Sequence, residues 1–146
     1  MKVFISQRFR DIPEQEVLRR RQMIIDLAKY NYHDAEIIES WHPNFDKSSV
    51  AQLGQSIIEM SVADLVLISY GSMLNVFRFA SDAEYGGKLD DDTLTSLRGS
   101  EYEILICRSY NIPVRVYKFI FDKDKNIPTG VQFIQMEELR LKDDKY

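Results

Sequence analysis

The chain has 146 residues, of which 45% are hydrophobic and 29% charged, and it carries a net charge of -4. That length makes one domain able to bury roughly two-thirds of its unfolded surface, with the composition of an ordinary soluble globule. The acidic balance argues against nucleic acid as the main partner and leaves a mononucleotide allowed; no apolar window approaches the length of a membrane span.

The single cysteine, Cys107, has no intramolecular partner and falls in a helical pattern, where it reads as a small core filler. A lone thiol and an N-terminus without an apolar targeting segment lead us to expect a reducing, cytoplasmic location. Two histidines and one cysteine offer no metal-site spacing, so neither metal nor cofactor is expected.

In chain order, Lys2 to Ser6 holds Val3, Phe4 and Ile5 in succession, the pattern of a central parallel strand covered on both faces. After a polar loop, Pro13 followed by Glu14 and Glu16 starts a helix to about Tyr30. Val17, Ile24, Leu27 and Ala28 give it a packing stripe, and Arg19 to Arg21 read as its solvated face. Ala35 to Ile38 forms a second strand that empties into Glu39-Ser40-Trp41-His42-Pro43, at the end of the sheet where ligands bind in open α/β folds. Trp41 reads either as a rim residue over the core or as a platform for a base, and His42 as a loop histidine.

Ser48 or Ser49 can cap a helix through Val62, with Val50, Leu53, Ile57 and Met60 near helical spacing. Asp64 to Ser69 is a third, buried strand. Residues 70–97 hold aromatics, two glycines and the acidic run Asp90 to Asp92, and a stretch of that length suggests a lid or an interaction surface. From Pro113 to Phe121 runs a fourth strand; a turn over Asp122 to Lys125, a fifth strand over Gly130 to Ile134 and a short helix over Met136 to Leu141 complete the chain. Strands separated by helices predict an α/β fold: a doubly wound, mainly parallel sheet of about five strands flanked by helices, with the first helix on one face and the others opposite.

The stretch RGSEYEILICRSYNIPV, from Arg98 to Val114, is the most informative. A Gly-Ser turn opens a helix whose N-terminal N–H groups favour anions, Asn111 can close it in the left-handed conformation, and Ile112-Pro113-Val114 enters a strand. Glu103 lies one turn into that helix, near the same mouth. Its pattern, R-G-[CS]-x-x-E followed after eight residues by I-P-V, resembles the signature of the nucleoside 2-deoxyribosyltransferase-like superfamily, which includes the deoxynucleoside monophosphate N-glycosidases. MKVFISQRFR, Met1 to Arg10, is similar to the family's opening strand and substrate loop, K-V-[FY]-I-S-Q-P-M-R-G, and LGQSIIEMSVAD, Leu53 to Asp64, resembles its middle helix. The likeness spans most of residues 1–70 and 98–116.

The resemblance implies a single nucleoside 2-deoxyribosyltransferase-like domain with a long insertion at about 70–97, a Rossmann-like fold, and a homo-oligomer, dimer or higher. It implies hydrolysis or transfer at the N-glycosidic bond of a deoxynucleoside or its 5′-monophosphate, with Glu103 as the nucleophile. By itself Glu103 also fits a helix N-terminal glutamate, which the dipole favours by about 0.3–1 kcal/mol. Ser6, Gln7, Trp41, Gly99 and Ser100 would bind substrate, and Arg10 would clamp a phosphate. Arg8 and Asp11 replace the family's proline and glycine, and Leu97 and Ser69-Tyr70 stand where transferases commonly carry aspartates, which ranks hydrolysis above transfer. The alternative is a non-catalytic module that senses or sequesters a nucleotide-like ligand.

Overall fold

Val3, Phe4 and Ile5 are all buried because the strand that contains them sits inside a sheet with helices on both faces. The computed structural model describes residues 1–7, 9, 12–42, 48–70, 98–122 and 127–134, and of residues 49 and 98–101 the backbone alone. The elements are β1 (Lys2–Ile5), α1 (Glu14–Asn31), β2 (Glu36–Ile37), α2 (Ser49–Met60), β3 (Leu65–Ser69), α3 (Arg98–Ser109), β4 (Val114–Phe121) and β5 (Pro128–Phe133). The sheet order is β2-β1-β3-β4-β5. β1 pairs in parallel with β2 and with β3, and β3 pairs in parallel with β4. This is a Rossmann-like α/β architecture. Of the insertion expected at about 70–97 all but residue 70, of the turn expected over Asp122 to Lys125 all but Asp122, and the whole of the helix expected over Met136 to Leu141 lie outside the described residues.

β5 runs antiparallel to β4, unlike the other pairs. A parallel return needs a crossover of a dozen or more residues. Only six residues separate Phe121 from Pro128, so the chain has to double back.

The period-2 alternation of the strands sorts side chains into two cores. Val3 and Ile5 of β1, Leu65 and Leu67 of β3, and Tyr117 and Phe119 of β4 face α1, where Ile24 and Ala28 meet them. Phe4, Val66, Ile68 and Val116 face the other way, against Met60 of α2 and Ile104 and Cys107 of α3. The first helix and the later two therefore cover opposite faces, as the winding rule requires.

Two helix faces differ from the sequence reading. In α1 the buried stripe is Val17, Arg21, Ile24 and Ala28: three of the four expected apolar residues are buried, and of the basic triplet Arg19 is exposed, Arg20 half-buried and Arg21 buried. Arg21 takes a core-facing position, Arg20 lies over the rings of Phe119 and Phe121 at 5.7 and 5.8 Å, and both Arg19 and Arg20 pair with Glu16. Those pairs, the hydrogen bond from Arg19 foremost, hold the Glu16 carboxyl down at about 2. In α2 the expected stripe of Val50, Leu53, Ile57 and Met60 is met only in part: Met60 is buried and Leu53 half-buried, but Val50 is 79% exposed and Ile57 is exposed, as is Ile58, while Glu59 is buried. Ser48 provides the cap, its hydroxyl accepting from the Ala51 N–H at 3.2 Å.

At the far end of α3, Asn111 adopts φ 56° and lets the Ile112 N–H reach back to the Cys107 carbonyl at 2.9 Å. That closes the helix and aims Val114 into β4. A β-branched residue cannot hold this conformation cheaply. Asn111→Val should lower unfolding free energy by about 1–2 kcal/mol in urea denaturation, whereas Asn111→Gly should leave it unchanged or slightly raised.

Candidate functional site

Beyond the carboxyl ends of β1 and β3 the connections part, the one from β1 leading to β2 on one side of the pair and the one from β3 to β4 on the other. A crevice at this switch point is the usual ligand site of such sheets. Immediately beyond β1, Ser6 continues the ladder through its N–H to the Leu67 carbonyl at 2.8 Å. Its own carbonyl accepts from the Tyr117 hydroxyl at 2.6 Å, across a buried contact. With Val3 and Ile5 committed to the α1 face, alternation turns the Ser6 side chain toward α2 and α3.

Glu103 meets it there. Helical spacing puts Glu103 one turn before Cys107, on the buried side of α3 beside Ile104, and the residue is only 8% exposed. Removal from water raises the Glu103 pKa from 4.5 to about 7; the hydroxyls of Ser6 and Ser56 oppose the rise, and the charge of Glu59 adds to it. Oε2 of Glu103 is buried with no hydrogen-bond partner among the described residues. Such an orphaned atom costs about 1–3 kcal/mol, and in native proteins it asks for an explanation. The same burial, with the Glu103 charge as a second cause, pushes the Cys107 thiol up to about 11. Cys107 is fully enclosed in the core, which suits a filler and not a nucleophile.

α2 contributes polar groups at this point. Gln55, Ser56 and Glu59 face inward, and Gln55 donates to Glu59 Oε1 at 3.1 Å. The same Oε1 meets Nε2 of His42, which follows β2 and keeps 36% of its side chain exposed. On the α1 side, Arg21 donates to Ser40 Oγ at 3.2 Å and to the Ile38 carbonyl at 3.3 Å, with Glu39 at 3.8 Å. Ser40 in turn donates to the Ile5 carbonyl at 3.1 Å. Burial lowers the Arg21 pKa from its ordinary value, while the charges of Glu39, Tyr117 and Glu59 pull it back up.

Of the residues singled out from the sequence, Ser6 and Glu103 are brought together at the carboxyl edge. Gln7 donates its amide to the Val17 carbonyl at 2.8 Å, tying the loop after β1 to α1. Trp41 is half-buried and packs edge to face on Phe9 with centroids 5.6 Å apart. Gly99 and Ser100 lie within the first turn of α3, not in a turn ahead of it, and their side chains are outside the described residues, as is Arg10. Sequence reasoning missed Arg21, Ser40, Ser56 and Glu59, and it left His42 as a loop histidine. Ser56 and Glu59, spaced i, i+3 with Gln55 beside them, formed a polar stripe in α2 that could have been set against the apolar one. Among the described residues no three of His, Cys, Asp or Glu group as metal ligands would, and no helix is long and apolar enough to cross a membrane.

The Glu103 shift has a stability signature. The folded state keeps a proton up to about pH 7 that the unfolded chain releases near 4.5, so wild-type stability falls as pH rises through that window. The full loss is on the order of 3 kcal/mol. Glu103→Gln should therefore be more stable than wild type in urea denaturation near pH 8, and the advantage should vanish near pH 4. An equal difference at both pH values would mean that the carboxyl is not buried in its charged form.

Comparison with known proteins returns no match: no family model, no curated protein and no solved structure.

Proposed function

We propose that the protein hydrolyses the N-glycosidic bond of a deoxynucleoside or its 5′-monophosphate, with Glu103 as the nucleophile at C1′. The observation that carries this reading is the buried Glu103 carboxyl, with Oε2 unpartnered among the described residues, at the carboxyl edge of the sheet and one turn into α3. Breaking a C1′–N bond develops positive charge on the sugar carbon, as in glycoside hydrolysis. A carboxylate out of water meets that charge in a low-dielectric setting where the attraction is strong. Its ionisation, disfavoured by burial, becomes favourable as the cation forms. The first-turn N–H groups of α3 suit a 5′-hydroxyl or 5′-phosphate, the Phe9–Trp41 pair offers an aromatic wall for a base, and the likeness of the Arg98 to Val114 motif points the same way.

A second reading draws on the same pKa. Below about pH 7 a protonated Glu103 can donate a hydrogen bond, which would suit a module that only senses or sequesters a nucleotide-like ligand. Base release separates the two.

With a panel of 2′-deoxynucleoside 5′-monophosphates and chromatographic detection of free base, the wild-type rate should rise with pH through about 7 as Glu103 ionises. Glu103→Gln should cut the rate by about a thousandfold or more and leave ligand affinity nearly unchanged, because the lost interaction belongs to the transition state. No release from any substrate, or equal release by the Gln variant, would leave the receptor reading in its place. The homo-oligomer that the resemblance implies would have Val50 and Ile58 of α2 and Val62 just after it, all exposed, to cover; light scattering giving a particle of 17.1 kDa would exclude it.

A further inference from the structure

A nucleophilic carboxylate has to be ionised and aimed, and burial works against the first. Glu103 is 8% exposed, and burial holds its pKa at about 7, so near neutral pH only part of the molecules carry the charge. Two groups pull the other way, the hydroxyls of Ser6 and Ser56, both hydrogen-bonded to the carboxyl. A donor that satisfies the charged form lowers a pKa, so each hydroxyl holds back part of the rise that burial causes. The two come from different elements. Ser6 follows β1, and its backbone is fixed by Leu67 and Tyr117. Ser56 is half-buried on α2, one turn before the buried Glu59, and α2 packs on α3. Oε2 of Glu103 has no partner among the described residues, which leaves Oε1 to the two hydroxyls.

We propose that Ser56, together with Ser6, is a positioning residue for Glu103, holding Oε1 from the α2 side so that Oε2 is the oxygen turned to the sugar carbon; the proposal rests on the glycosidase reading above. A carboxylate gripped at one oxygen by donors from two elements does not turn about its last torsion, and the same atom faces the substrate in every molecule. The same two bonds keep the group ionisable in a sealed site. The other titratable groups around it, among the described residues, give no such help. On α2, Glu59 carries a charge that opposes ionisation of Glu103, and its own Oε1 is engaged by His42 and Gln55. On α3 itself the Cys107 thiol, pushed up to about 11, stays protonated. Tyr70, just after β3, packs into the same core as Ile104 and Cys107.

The test follows the Glu103 carboxyl by carbon NMR across pH in the full chain, its signal identified by its loss in Glu103→Gln. In Ser56→Ala the midpoint should rise by about one pH unit, and in Glu59→Gln it should fall below that of wild type. Opposite shifts from two sites one turn apart separate the hold of a hydroxyl from a general loosening of α2, which would admit water and move both midpoints toward 4.5. With the panel of 2′-deoxynucleoside 5′-monophosphates, the pH of half-maximal base release in Ser56→Ala should rise with the carboxyl midpoint. The maximal rate above it should fall by about tenfold or more as the carboxylate loses its orientation. A Ser56→Ala midpoint equal to or below that of wild type overturns the proposal, and so does a raised midpoint with an undiminished maximal rate; both leave Glu103 standing as the nucleophile. Failure of the wild type to release base from any substrate instead overturns the glycosidase reading, and the positioning role with it, whatever the midpoints do.

Discussion

The hydrogen bond from the Tyr117 hydroxyl to the Ser6 carbonyl ties the sheet to the site. It joins β4 to the chain end of β1 across the intervening β3, inside a core where no water competes for either partner. The Ser6 N–H is held by Leu67 at the same time. With both backbone groups satisfied, Ser6 has little freedom, and its hydroxyl is delivered to Glu103 as a consequence of strand alternation. A phenylalanine at 117 would fill the same volume and leave the Ser6 carbonyl without its buried donor.

Around that clamp the molecule gathers more polar groups than a core of this size needs. Arg21, Ser40, Ser6, Ser56, Glu59 and Glu103 all sit at one edge, supplied by α1, α2, α3 and the segments after β1 and β2. A domain stabilised chiefly by burial would place leucines at these points. α2 makes the case most directly, since it turns Ser56 and Glu59 inward while Val50 and Ile58 face solvent. Arrangements that cost stability persist where the geometry does something else.

The architecture was legible because its signals are local and strong. Val3 to Ile5 and Leu65 to Ile68 are unbroken apolar runs, and the Asn111-Ile112-Pro113 exit from α3 announces its own conformation. Glu103 was legible only through its motif, since periodicity says which face it shares with Cys107 but not that the face is sealed. The faces of α1 and α2 were misread at Arg21 and at Glu59, though not at Val17, Ile24, Ala28 or Met60, for one reason. Amphipathic patterning assumes that polar means outward, and at the carboxyl edge of the sheet Arg21 and Glu59 are drawn inward by partners that lie far away in sequence, at Ser40 and His42. The Glu59–His42 pairing joins residues 17 apart across two elements, and no local rule brings them together.

Cys107 carries a practical consequence. A thiol with no exposed surface and a pKa near 11 is neither reachable nor ionised in the native state, so a thiol reagent in neutral solution can react only with molecules in which α3 has lifted from the sheet. Being the sole cysteine in the chain, it makes the protein its own reporter of opening: the labelling rate counts excursions of the helix that carries Glu103, one chain at a time, with no probe added to the fold.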